Sequence, residues 1–347
     1  MRSFENDFLH VQPVSHDAIL LIARLAEQRG RQEMLRRRAP HALERLREHA
    51  VIQSVECSNR LEGVEVRPER IRDILVGGDA PRERSECEIA GYRTALDRIH
   101  RDHERLRPSP ELALELHRDL YALTGTPGGA WKRADNEIVE MGRGGRREVR
   151  FRPVPASETP AAMATLHRLL ESELNAGQVH PLLVTAAYVL DFLCIHPFAD
   201  GNGRVARLLT LLLLYRCGYE VGRYVSLERI VEANRQGYYE ALRQSSMGWH
   251  EARHSLRPWT EFMLGTLARA CDELERQTAD LETARGTKAR LVEEAIERLP
   301  GSFRMRDIEA LCPTVSRDMI RVVLGRMKRA GRVRCEGSGA GAVWMKT

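Results

Sequence analysis

A single polar turn between two apolar helical runs governs how the middle of this chain folds. Pro181–Cys194 carries apolar residues at helical spacing, and Leu208–Tyr215 is almost all leucine. Between them stands Ile195-His196-Pro197-Phe198-Ala199-Asp200-Gly201-Asn202-Gly203-Arg204-Val205-Ala206-Arg207. Helices apolar all round belong in a core, so two buried helices flank a polar hinge. Glycines before a helix start leave backbone N–H groups aimed at one point, and the helix dipole adds positive potential there. Arg204 and Arg207 are three apart and share a face of the first turn. The stretch reads as a cradle for a polyphosphate, with Asp200 placed to hold a divalent metal on the phosphates and His196 placed to act as a base. A His196–Asp200 metal pair is the rival reading; Pro197 and the glycines make a loop of what would have to be a helix.

The chain has 347 residues, room for two or three domains, and its 43% apolar content supplies a core. Leucine and alanine dominate with few β-branched runs, which predicts a mainly helical protein. Met1–Val14 is mixed in character and carries acids, unlike a secretory signal. The uncharged run between Arg207 and Arg216 is eight residues long, against roughly 18 for a membrane span, so no membrane partner is expected. Seven cysteines without a C-x-x-C pair argue for reduced thiols, a cytoplasmic location and no structural zinc. The net charge of +5 is uneven: Arg285–Thr347 holds fourteen Lys and Arg against seven Asp and Glu, a net +7, which leaves the rest at −2. An acidic partner is expected for that C-terminal segment alone.

Three regions follow. Residues 1–108 read as an N-terminal helical region, with a helix over His41–Glu62 stopped by Gly63, a short one from Pro68 to Leu75, and one from about Arg84 to Leu106. The basic cluster Arg29, Arg31, Arg36, Arg37 and Arg38 is interleaved with glutamate and reads as a solvated helix face. Residues 109–280 open on Ser109-Pro110, a cap and an N1 proline. They contain Ile138–Met141 and Glu148–Phe151, strand-like runs around Gly142-Arg143-Gly144-Gly145 that predict a β-hairpin. A lone hairpin exposes strand edges; it is either a surface loop or a place where a peptide adds as an extra strand. Ser226 can cap a helix running to Leu242 through Tyr238 and Tyr239, which are core residues or rings on which a base stacks. Pro258–Asp280 is a long amphipathic helix. Residues 286–347 read as helices over Lys288–Leu299, Arg304–Leu311 and Arg317–Ala330, then strands Val333–Glu336 and Ala342–Met345 around Gly337-Ser338-Gly339-Ala340-Gly341. That order is a winged helix-turn-helix. Arg317 and Arg321 would face a DNA groove and Arg332 and Arg334 the backbone; a regulatory or dimerisation module without DNA is the alternative.

The central stretch resembles the motif of the Fic family, HxFx[DE]GNGRxxR, with every fixed position filled from His196 to Arg207. Trp131–Pro155 is similar to that family's flap region, Leu227–Leu242 to the segment with its paired tyrosines, and the C-terminal unit to a winged helix added to many bacterial members. The similarity spans roughly residues 40–270. It implies a Fic-type helical bundle with a β-hairpin flap, ATP as substrate, Mg²⁺ as cofactor, and transfer of AMP to a Tyr, Ser or Thr hydroxyl of a protein. Carried over, His196 is the base, Asp200 the Mg²⁺ holder, and Gly201, Asn202 and Gly203 the anion hole. Arg204 and Arg207 meet the outer phosphates, Val149, Arg150 and Phe151 lie over the nucleotide, and Tyr238 flanks its base.

Ser58-Asn59-Arg60-Leu61-Glu62-Gly63 resembles the family's inhibitory motif [ST]xxxE[GN] through Ser58, Glu62 and Gly63. The resemblance implies that Glu62 pairs with Arg207 and takes the position the γ-phosphate needs. Other outcomes stay open at this point: a nucleotide-sensing transcriptional regulator, another donor such as UMP, phosphate or phosphocholine, removal of AMP, and a homodimer.

Overall fold

In the computed structural model, residues 1–38, 40–141, 147–337 and 342–347 are described, without the side chains of 33–42, 141, 147, 280–285 and 287. The expected turn Gly142-Arg143-Gly144-Gly145, the Ser338–Gly341 part of the last turn and the side chains of Arg36, Arg37 and Arg38 lie outside what is described. The first elements are α1 (Phe8–Val11), α2 (His16–Arg38), α3 (Pro40–Leu61), α4 (Pro68–Leu75), α5 (Arg84–Asp102) and α6 (Pro110–Tyr121). Strands β1 (Ile138–Met141) and β2 (Arg147–Phe151) follow, then α7 (Thr159–Ala176), α8 (Pro181–Ile195) and α9 (Asn202–Arg216). Next come α10 (Leu227–Ala233), α11 (Arg235–Ser246) and α12 (Arg257–Arg298). The chain ends on β3 (Ser302–Arg304), α13 (Met305–Leu311), α14 (Arg317–Arg329), β4 (Val333–Glu336) and β5 (Val343–Lys346).

Local chemistry sets many of the boundaries. Ser109, Ser226 and Ser316 each accept a backbone N–H from the first turn of α6, α10 and α14, satisfying a donor the helix cannot. Pro68 and Pro110 sit in the first turns of α4 and α6. Gly63 stops α3 with φ +79°, a conformation only glycine adopts freely. Two expected boundaries are corrected. The helix expected to run from Ser226 to Leu242 breaks at Asn234, whose φ −123° and ψ 44° are not helical, giving α10 and α11. The separate helices Pro258–Asp280 and Lys288–Leu299 are one helix, α12, because nothing between them stops a helix more strongly than Gly286, at about 1 kcal/mol.

The chain divides into two compact units, Met1–Leu274 and Glu275–Thr347. The expected boundary at 108/109 is therefore corrected: it falls inside one unit, whose apolar core runs from Phe4 through Ile89, Leu116, Phe192 and Leu209 to Leu274. α8 and α9 lie at the centre of that core, with Val184, Leu190, Phe192, Leu208, Leu209 and Leu212 fully buried. The N-terminal segment is tied to it through Asp191 on α8, which accepts from Ser3 Oγ (2.6 Å), Ser3 N (3.2 Å) and Trp249 Nε1 (2.6 Å). β1 and β2 are antiparallel, with Val139 opposite Val149 and an irregularity after Ile138.

In the second unit β3, β5 and β4 form an antiparallel sheet in that order. Val292, Ile296, Phe303, Ile308, Ile320, Leu324 and Val333 make a core of its own. Strand β3 was not foreseen: Ser302–Arg304 is too short to show an alternating pattern. No helix among the described residues is long and apolar enough to cross a membrane.

Candidate active site

His196 closes α8 in the left-handed region, φ 52°. Its Nδ1 lies 3.3 Å from the Leu193 carbonyl, to which it can only donate. Nε2 is thereby left as the proton acceptor. Burial pulls the imidazole down to about 4, so near neutral pH it is uncharged and able to take a proton.

The turn that follows is locked by Asn202, whose side chain accepts from Phe198 N (2.9 Å) and donates to Phe198 O (2.8 Å). Its contribution is to hold the turn. Gly201 is corrected in the same way: its N–H donates to Asp200 Oδ1 at 2.6 Å, and its part is the left-handed corner, φ 81°. The anion cradle consequently rests on the first turn of α9, from Asn202 and Gly203 onward, where backbone donors have no intrahelical acceptor. The Asp200 side chain is 61% exposed. Among the described residues no three His, Cys, Asp or Glu side chains gather as a ready-made metal cluster. A cation at Asp200 would complete its shell with phosphate oxygens and water, the usual habit of Mg²⁺.

The two motif arginines part ways. Arg207 donates from Nε to Ser58 Oγ and from Nη2 to both Ser58 O and Glu62 Oε1, each at 2.8 Å. Its Nη1 is buried without a partner and lies beside Gly203, a donor suited to an incoming phosphate. Glu62 sits over the same glycine: a Cβ at Gly203 would collide with Glu62 Oε1. Arg204 corrects the expectation that it meets an outer phosphate. It is 1% exposed, paired with Glu88, and bonded to Tyr121 Oη (2.8 Å) and Asn59 Oδ1 (3.3 Å). Arg204 is a scaffold residue tying α9 to α3, α5 and α6. Arg204→Ala would leave the buried Glu88 carboxylate uncompensated and should cost about 3–5 kcal/mol, read as a lower urea midpoint of the first unit.

The remaining cleft wall brings distant segments together. Glu62, Arg150, Phe151, His196, Gly203, Tyr238 and Tyr239 line one cavity. Arg150 Nη1 is buried without a partner, while its Nε faces Glu140 at 3.3 Å. Phe151 stacks on His250 and meets Trp249 edge-on, which anchors the flap. Val149 is 44% exposed and does not line the cavity. Tyr238 is buried against Tyr239, Trp259 and Phe262, so it is both core and cleft wall.

Sequence reading missed the residues that grip the loop from behind. Lys132 N donates to Pro197 O (2.9 Å) and Lys132 Nζ to Ile195 O (3.1 Å). Asn136 Nδ2 donates to Phe198 O (3.1 Å), and His117 Nε2 lies 3.2 Å from Asp200 O. His117 also stacks flat on Phe198, with centroids 3.9 Å apart. These lie 60 or more positions before the motif, so no local spacing announces them.

In the second unit every arginine expected at DNA has an acid nearby: Arg317 with Glu309 (3.2 Å), Arg321 with Asp318 (2.9 Å), and Arg334 with Glu336 (3.9 Å). Arg332 is held by Glu293 (3.0 Å) and Glu297 (3.4 Å). Such exposed pairs are worth about 1 kcal/mol or less and can exchange for phosphate.

Residues 107–214 match the model of the Fic/DOC family. The protein adenylyltransferase Fic of Drosophila willistoni is 28% identical over 253 residues, covering 70% of this chain and 45% of that protein. That of Drosophila melanogaster is 28% identical over 265 residues, covering 74% and 49%. The chain thus spans about half the length of the curated relatives it matches. Among solved structures, a Fic family protein from Desulfovibrio desulfuricans G20 is similar with TM-score 0.64 at 22% identity over 96% of this chain and 97% of that one. A Fic domain-containing signalling protein from Bacteroides thetaiotaomicron gives 0.62 at 22% identity over 75% and 98%. These structures share the fold.

Proposed function

We propose, from the support that these matches give to a place in the Fic family, that the chain is a protein adenylyltransferase held in check by Glu62. The observation that carries the reading is the convergence, in one cleft, of a neutral His196, the Gly203 corner and an Arg207 with a spare buried donor. Nucleotidyl transfer asks for positioning and charge neutralisation more than covalent chemistry, and these groups supply both.

In this reading His196 Nε2 takes the proton from a protein Tyr, Ser or Thr hydroxyl. The hydroxyl oxygen bonds to the α-phosphorus of ATP, the bridge to the β-phosphate breaks, and pyrophosphate leaves. Backbone N–H groups of α9 and Arg207 carry the phosphate charge, and Arg150 and Phe151 cover the nucleotide with Tyr238 behind its base. When bound, Mg²⁺ would neutralise the α- and β-phosphates from Asp200. Glu62 occupies the Arg207 contact that the outer phosphate would use.

The test is a comparison of donors on the full chain. Label from α-³²P ATP should enter protein, label from γ-³²P ATP should not, α-³²P UTP should be poorer, and EDTA should abolish the reaction. Transfer of the γ-label or a preference for UTP would move the protein to another donor chemistry. For residues 286–347 we propose nucleic-acid binding, supported by their net positive charge and by exposed Arg317, Arg321 and Arg334. Arg332, tied to two glutamates, lends it the least support.

A further inference from the structure

Four carbonyls of the catalytic turn are gripped by one preceding segment, through Lys132, Asn136 and His117. Lys132 is the unusual member. It is 5% exposed, and its ammonium touches two oxygens, Ile195 O at 3.1 Å and Asn136 Oδ1 at 2.8 Å. Among the described residues no carboxylate pairs with it. A buried, unpaired cation is costly, and an amide could make the same bonds without that cost. The charge itself therefore has a task, and the group it faces is the imidazole of His196.

We propose that Lys132 is a positioning residue for His196: it clamps the Ile195 carbonyl against Asn136, holds the imidazole in its left-handed pose facing the cleft, and keeps that imidazole from gathering a proton. The proposal rests on reading His196 as the base. Burial lowers Lys132 itself to about 8, so it stays largely charged at neutral pH. Two other charged groups face His196: Arg150 from β2 acts in the same direction as Lys132, and Glu62 from α3 opposes both. Removing Glu62 and removing Lys132 thus move the imidazole in opposite directions, which separates the two effects in one experiment.

The experiment uses the full chain with Glu62→Gly, alone and combined with Lys132→Met or Lys132→Gln. Three quantities are read: kcat and KM for ATP, the pH profile of kcat, and the titration of the His196 imidazole by NMR, assigned by its loss in His196→Ala. Lys132→Met should lower kcat on the order of a hundredfold, the cost of a misplaced catalytic group, with KM for ATP little changed. In both variants the imidazole midpoint and the acid limb of kcat should rise together. Lys132→Gln, which keeps a donor for Ile195 O, should retain the fold and more of the rate. An unchanged midpoint in a folded Lys132→Gln protein overturns the proposal. If Glu62→Gly transfers no AMP at all, the adenylyltransferase reading fails, while the imidazole titration still decides what Lys132 does.

Discussion

Glu62→Gly is expected to raise AMP transfer on the order of a hundredfold, and adding His196→Ala should return it to background. The first figure follows from the contact that is lost. A partly buried carboxylate–guanidinium bond is worth about 3 kcal/mol, and each 1.4 kcal/mol is about tenfold. Glu62 accepts from Arg207 at 2.8 Å and stands against Gly203, so it both neutralises the phosphate-seeking guanidinium and fills its approach. Release should not unfold the site, because Arg207 keeps Ser58 Oγ and Ser58 O and Glu62 lies beyond the end of α3. The second figure follows from Nε2 being the acceptor that Nδ1 leaves free. Label incorporation from α-³²P ATP by the three proteins checks both; equal labelling with and without Glu62 would remove the inhibitory role. Label retained without His196 would remove the base.

What the sequence made legible is what local chemistry controls. Ser109, Ser226 and Ser316 announce helix starts because a cap is satisfied within one turn. The Glu62–Arg207 contact spans 145 positions, beyond any local rule, and was reached only through the resemblance of Ser58–Gly63 to an inhibitory motif. Arg204 shows where reading by periodicity stops. Spacing of three puts it beside Arg207 on the helix, yet Glu88 and Tyr121 draw its side chain into the core. Lys132 and His117 were invisible for a related reason: they act on backbone carbonyls, which every residue carries, so their partners leave no mark in the sequence.

Acid should unfold the first unit near pH 5, far above where carboxylate protonation alone acts. Burial depresses five histidines there: His100 to about 3, and His117, His167, His196 and His254 to about 4. Unfolded, each returns to about 6.5. Between those values the unfolded chain binds protons that the folded one refuses, so stability is full above pH 6.5 and is lost as pH falls toward 4. Asp191 works the other way. Burial raises it to about 6 from 3.8, so the folded state gains a proton there and some stability as pH drops. Five against one leaves about four protons, or roughly 5 kcal/mol per pH unit at the steepest. A domain of ordinary stability has only about 5–15 kcal/mol in total. Fluorescence of the buried Trp249 and Trp259, followed with urea at each pH from 7.5 to 4, measures the slope. His100→Gln should flatten it by about one proton, roughly 1.4 kcal/mol per pH unit. A stability that stays level from pH 7 to 5 would mean that these imidazoles are already protonated in the fold, and His196 with them would be no base.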